Sequence, residues 1–295
     1  MVSDGNILQG ELRCAGCGRT INVRDGIPEF LHDLPEDNLS EIKSSEGVAT
    51  YCYPRDPDTY NDSWLLSLPR VANEKADNIE GWKRKISTFD QVLRDCQPGG
   101  GKTLLDIGAS TTWSTRFLAR KGYDCIALDI VKGKYRGLLS SKVFFEHDNT
   151  YYECILAPME NIPLRNNSID CVFSINSLHH SNDLGKVFFE LQRILKPGCC
   201  AYILDDTVGF LRRKKKQQAA ERSRRENQHN DHVYSLREYK RAIAKADLSL
   251  HIEMPQRYLD RIGPVRYAPK SCLYSLYILL SITLGMPFYF RVTKD

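Results

Sequence analysis

The chain of 295 residues is longer than an ordinary domain and shorter than two, so one main domain of roughly 200 residues with an appendage is expected. A hydrophobic content of 42% with 26% charged residues fits a globular chain with a sizeable core and excludes disorder or a fibrous repeat as the dominant state. The net charge of +4 is concentrated: residues 212–226 hold eight basic and two acidic side chains, which leaves the rest at −2 and argues against a nucleic-acid-binding domain as the source of the basic balance.

In chain order, Met1-Val-Ser-Asp-Gly-Asn6 lacks the basic and apolar stretches of a secretion signal, so the cytoplasm is the expected address. Ten cysteines spread over the whole chain read as reduced thiols and not as a disulfide framework. Residues 1–35, with Cys14-Ala-Gly-Cys17 and then Asn22-Val-Arg-Asp-Gly-Ile-Pro28, read as a small β knuckle. Residues 36–62 are polar and carry Pro35, Pro54 and Pro57 at or near their span, so 36–74 is expected to be linker and lid. From Asp77 to about Cys96, Ile79, Trp82, Ile86, Phe89 and Leu93 recur at helical spacing until Pro98-Gly-Gly-Gly101.

Apolar strand-like runs then alternate with helical ones: Thr103–Ile107, Ser114–Lys121, Cys125–Ile130, Cys171–Ile175, Leu184–Leu195 and Cys200–Leu204. This alternation predicts an α/β fold with a mostly parallel sheet and helices on both faces over residues 75–295. Ser235 and Glu238 stand at capping-box spacing before a later helix with Tyr239, Ile243 and Ala246.

The densest chemical signal is Leu104-Leu-Asp-Ile-Gly-Ala-Ser-Thr-Thr-Trp-Ser114, an apolar strand that breaks at Gly108 and turns into a helix. A second strand ends in Asp129, 21 residues after Gly108. In a doubly wound sheet such a turn sets backbone N–H groups at the carboxyl edge, and the second acid accepts from ribose hydroxyls.

Over residues 103–205 these motifs resemble the class I S-adenosylmethionine-dependent methyltransferases. The resemblance implies a Rossmann-like, seven-stranded sheet with S-adenosylmethionine as cofactor. Its acidic glycine-rich loop maps onto Asp106, Gly108, Ser110 and Thr112, of which only Gly108 is glycine, and its ribose-binding acid maps onto Asp129. The segment Glu160-Asn-Ile-Pro-Leu-Arg-Asn-Asn-Ser-Ile-Asp170 resembles the link from the adenine-binding turn to the fourth strand, with Pro158 where an aspartate often stands and Met159 placed to pack on the adenine. Glu160 and Ser174 complete the implied cofactor set. The knuckle resembles the small zinc-ribbon-like methyltransferase-activator domain. Two cysteines cannot saturate a tetrahedral zinc site, and only His32 and Cys52 are nearby, so no metal is expected.

His179 and His180 follow the fourth strand in Ser174-Ile-Asn-Ser-Leu-His-His180, where an acceptor would meet the methyl group. One reading makes one of them a general base; the other gives the pair a structural role at the start of the next helix. Asn176 either orients the acceptor or caps the turn. The expected reaction is methyl transfer to an oxygen or nitrogen of a small-molecule acceptor. Its rivals are a catalytically silent methyltransferase-like scaffold and an RNA methyltransferase. The basic stretch within a helical insertion at about 207–232 reads as a mobile lid, since no aromatic residues alternate with its charges, and nucleic acid is a disfavoured partner. Tyr60, Trp64 and Trp82 are read as packing against the sheet. Residues 271–290 hold 20 uncharged positions, interrupted by Gly285 and Pro287. This pattern suits a helix and a final strand better than a bilayer span, with peripheral membrane contact as a further expectation.

Overall fold

A computed structural model of the chain describes residues 2–3, 6–46, 61–70, 79–227, 230–255 and 269–295. After a two-residue antiparallel pairing of Val2–Ser3 with Asn6–Ile7, three short antiparallel strands follow: β1 (Gln9–Arg13), β2 (Thr20–Arg24) and β3 (Ile27–Glu29). In β2 alternate residues point inward, burying Ile21 and Val23. Then follow α1 (Glu36–Glu46), α2 (Asp62–Ser67) and α3 (Ile79–Asp95). The segment expected as linker is therefore helical over 36–46. The side chains of Ile79 and Trp82, together with Cys52 and Tyr60, lie outside the described residues.

The main unit runs β4 (Thr103–Ile107), α4 (Trp113–Arg120), β5 (Asp124–Asp129), α5 (Ser141–Asp148), β6 (Glu153–Leu156), β7 (Ile169–Ile175), α6 (Leu184–Ile194) and β8 (Leu195–Asp206). It continues with α7 (Arg213–Asn227), α8 (Leu236–Lys245), β9 (Ser249–Glu253), α9 (Lys270–Leu284) and β10 (Pro287–Thr293). One sheet holds ten strands in the order β9-β10-β8-β7-β4-β5-β6-β3-β2-β1. β8, β7, β4, β5 and β6 are parallel, and β10 is antiparallel between β8 and β9. The N-terminal strands extend the edge of this sheet. β3 joins β6 through Glu29 and Leu156, and Phe30 N–H donates to the Leu156 carbonyl at 2.7 Å. Ile27, 3% exposed, anchors this edge to the main core.

Because helices cover both faces, the central strands are largely apolar and do not alternate: β7 buries Ile169, Cys171, Val172, Phe173 and Ser174. One face packs against Val187, Phe188 and Leu191 of α6, Tyr239 and Ile243 of α8 and Tyr277 of α9. The other holds Leu65, Phe89, Val92, Leu118 and Phe144 from α2 to α5. Asp183 caps α6 by accepting from Lys186 N–H at 3.2 Å, and Ser235 and Glu238 form the capping box of α8. α6 stops at Ile194, and Lys196-Pro-Gly198 forms an irregularity inside β8, which pairs with β7 at Leu195 and again from Cys200.

Candidate active site

The parallel strands end on one side of the sheet, and there the chain encloses a cavity of about 410 Å³, of the size small-molecule sites take. Its floor is the turn after β4. Gly108 has φ +67°, and a Cβ there would lie 2.2 Å from the Cβ of Ser177, so the position demands glycine. Ser110 (φ 47°) and Thr112 (φ 53°) also take left-handed backbone, at a cost of roughly 1 kcal/mol each. The chain therefore follows the path of a glycine-rich loop with only one of its glycines.

The expected loop residues do not all face the cavity. Gly108 and Ser110 line it. Thr112 is fully buried, its hydroxyl 2.9 Å from the Tyr152 hydroxyl and 3.1 Å from that of Ser140, bonds that hold its strained backbone. Asp106 lies buried beneath the loop, where Oδ2 accepts from Ser114 Oγ at 2.7 Å and Thr115 Oγ1 at 2.6 Å, tying β4 to the first turn of α4. Among the described residues its Oδ1 has no hydrogen-bond partner, and burial pushes its carboxyl up to about 7.

Asp129 lines the cavity from the end of β5. Its Oδ2 accepts from Ser110 N–H at 2.7 Å and its Oδ1 from Val131 N–H at 2.9 Å. Each oxygen keeps a further acceptor site. The group is partly open by area yet densely surrounded by protein, and this desolvation raises its carboxyl above the usual range against the lowering effect of those amides. Met159 and Glu160 line the next wall. Glu160 Oε1 accepts from Asn182 N–H at 2.7 Å, and burial raises its carboxyl. Ser174 is buried and does not line the cavity; its hydroxyl lies 2.6 Å from that of Ser177, which donates to the Ile107 carbonyl at 2.9 Å and braces β7 on β4.

Asn176 (φ 51°) leaves β7 with its N–H donated to the Leu204 carbonyl at 2.6 Å. With Ile175 it borders both the first cavity and a second one of about 330 Å³ at the ends of β7 and β8. His179 follows on a single turn, Leu178–His180. Its Nδ1 is 2.8 Å from Oδ1 of Asp205, a fully buried carboxylate that also accepts from the His179 and Asp206 N–H groups and from the Tyr239 hydroxyl. Burial opposes a charge on His179, but Asp205 outweighs it and the imidazole is raised above its usual value. His180 stacks on His179 with ring centroids 4.3 Å apart, and its Nδ1 lies 3.6 Å from carboxylate oxygens of both Glu41 and Asp231.

Several of these neighbours escape sequence reading. Asn38 and Glu41 come from α1, and Asn182 donates to the Asn38 side-chain carbonyl. Burial, then the Asp129 and Asp231 carboxylates, push Glu41 up to about 8. Asn230 and Asp231 reach over from the α7–α8 connection; Asn230 Nδ2 donates to the His180 carbonyl at 2.7 Å, and His232 N–H to that of His179 at 2.8 Å. The one available signal was Asp205-Asp206 closing an apolar run, since acids at strand ends sit where ligands bind. Trp64 is also a cavity residue as well as a packed one. At the far edge of the sheet, Cys14 and Cys17 are exposed, and among the described residues no third ligand-type side chain joins them.

The parallel sheet with its antiparallel β10 and the cavity over β4 and β5 define a Rossmann-like α/β fold. Residues 105–203 match the family described as a methyltransferase domain. Malonyl-[acyl-carrier protein] O-methyltransferase of Hahella chejuensis is 28% identical over 161 residues, 49% of this chain and 56% of that protein. Dimethylglycine N-methyltransferase of Parasynechococcus marenigrum is 31% identical over 116 residues, 38% of this chain and 40% of that protein. The chain thus spans about half the length of these relatives. Among solved structures, geranyl diphosphate C-methyltransferase of Streptomyces coelicolor, in complex with Mg2+, geranyl diphosphate and S-adenosyl-L-homocysteine, superposes with a TM-score of 0.57 at 16% identity, covering 89% of this chain and all of that one.

Proposed function

We propose that the chain transfers a methyl group from S-adenosylmethionine to an oxygen or nitrogen of a small-molecule acceptor. The observation that carries this reading is that Asp129 and His179, the latter bonded to Asp205, line one cavity floored by the Gly108 turn. The residues present fit the cofactor. Asp129 has spare acceptor capacity for ribose hydroxyls, Met159 offers an apolar face for the base, and Gly108 and Ser110 bring backbone close. When bound, the cofactor supplies an electrophilic sulfonium methyl.

The protein's own task is alignment, desolvation and removal of one proton. Asp205 holds His179 with Nδ1 as the donor, which leaves Nε2 of the neutral ring as the basic atom. An acceptor entering from the second cavity passes Ile175 and Asn176, the residues shared with the first. Asn176 is suited to orient it, and His180, between Glu41 and Asp231, to shape the pocket. An open cavity with an ordered His–Asp pair supports an enzyme over a silent scaffold. Tritium transfer from labelled S-adenosylmethionine to a panel of hydroxy, carboxy and amino compounds tests the proposal. Transfer to one class, abolished by Asp129→Ala, is expected; exclusive transfer to RNA would replace the acceptor class.

A further inference from the structure

We infer that α9 and the segment Phe210–Lys216 form a docking surface for an anionic lipid bilayer. α9 contains no charged residue after Lys270. Its inner face is accounted for by Leu273, Tyr277 and Ser281, all at most 4% exposed. Its outer face carries Leu276 (44% exposed), Leu279 (57%) and Ile282 (48%), at spacings of three residues, where a surface helix ordinarily presents polar side chains. The stripe does not stand alone. Phe210 and Leu211, 63% and 64% exposed, are fastened to the end of the same helix, their N–H groups donating to the carbonyls of Ile282 at 3.0 Å and Thr283 at 3.1 Å. This joint depends on Gly209, where a Cβ would lie 2.3 Å from Gly285 N. Two segments about 70 residues apart in sequence are thus locked into one apolar patch of five large side chains.

The charge beside this patch names the occupant. Arg212 and Lys216 share the wall of the second cavity with Leu284 and Gly285, so two cations stand at the same end of the helix as the apolar ridge. Neither has an ion pair among the described residues, whereas Arg213 pairs with Glu238 at 2.7 Å. Lys214 and Lys215, both exposed, extend the run. Apolar side chains that enter an acyl boundary, flanked by cations that meet lipid phosphates, are the two components that together hold a peripheral protein on an anionic membrane. No helix among the described residues is long and apolar enough to cross a bilayer, so the contact is interfacial.

Sedimentation of the full chain with vesicles tests this. Binding to phosphatidylcholine vesicles containing about a third phosphatidylserine should exceed binding to pure phosphatidylcholine at least tenfold, and should weaken at about 0.5 M salt. The exposed double variants Leu279→Asp/Ile282→Asp and Arg212→Glu/Lys216→Glu should each lose about tenfold or more with an unchanged circular dichroism spectrum. Three results would overturn the inference: equal affinity for both vesicle types, no binding to either, or wild-type binding by both variants. A dimer in solution that Leu279→Asp/Ile282→Asp dissociates would assign the patch to a second copy of the chain instead.

Discussion

Asp129 receives two backbone N–H bonds while facing the cavity, so its side chain is fixed before any ligand arrives. Asp129→Ala is expected to weaken S-adenosylmethionine binding by about 1.5–3 kcal/mol in calorimetry, through loss of charge-assisted hydrogen bonds. His179 is held as firmly by Asp205. His179→Ala should lower turnover by about 10² to 10⁴ with cofactor binding preserved, whereas the same change at His180 should act mainly on acceptor KM. The pH dependence follows from the direction of the His179 shift. Asp205 raises the imidazole, the base must be neutral to work, and so the rate should climb with pH through a value above about 6.5. Asp205→Asn removes the carboxylate that favours the imidazolium, so the rising limb should move to lower pH while the maximal rate falls. A profile that stays in place in this variant would show that His179 is not the titrating group.

At the scale of elements, the turn between β4 and α4 is the least tolerant piece of the fold. Gly108→Ala sets a methyl group against Ser177 at a left-handed position, and a loss of about 1–3 kcal/mol in denaturant unfolding is expected. Ser177→Gly in the same chain should recover part of it, because the clash is with that side chain. The elements of the sheet were legible in the sequence, since buried parallel strands and amphipathic helices such as α6 leave unbroken or periodic apolar runs. Gly108, Ser110, Asp129, Met159, Glu160, Asn176 and both histidines do line the cavity. Asp106, Thr112 and Ser174 lie behind its wall, because at a strand-to-helix turn sequence spacing gives the order of residues but not the side on which each side chain falls. α1 was illegible as an active-site element for a different reason. Its mean hydropathy is low, so no apolar stripe marks it, and it meets the site through Asn38 and Glu41, long-range polar contacts without a local signature.

For the whole molecule, α1 joins the main unit in lining the cavity, and the raised carboxyl of Glu41 follows from that position. Its folded value of about 8 lies above the ordinary 4.5. Such a group favours the folded state fully below the unfolded value, and that contribution is lost as pH rises toward 8. Glu41→Gln, which stays neutral, should therefore raise stability over wild type by about 1 kcal/mol or more at about pH 8.5 and change it little near pH 4.5, in paired thermal unfolding scans. An equal change at both values would mean that the Glu41 carboxyl is not raised.

The cavity over β4 and β5 is proposed to hold S-adenosylmethionine. Isothermal titration of the purified chain with that compound, beside Asp129→Ala under the same conditions, tests it most directly, before any acceptor is in hand. One binding site per chain is expected, occupied also by the demethylated product S-adenosylhomocysteine and weakened at least tenfold by the substitution. Absence of binding by both compounds to the folded wild-type chain, or equal affinity in the folded Asp129→Ala variant, would contradict it.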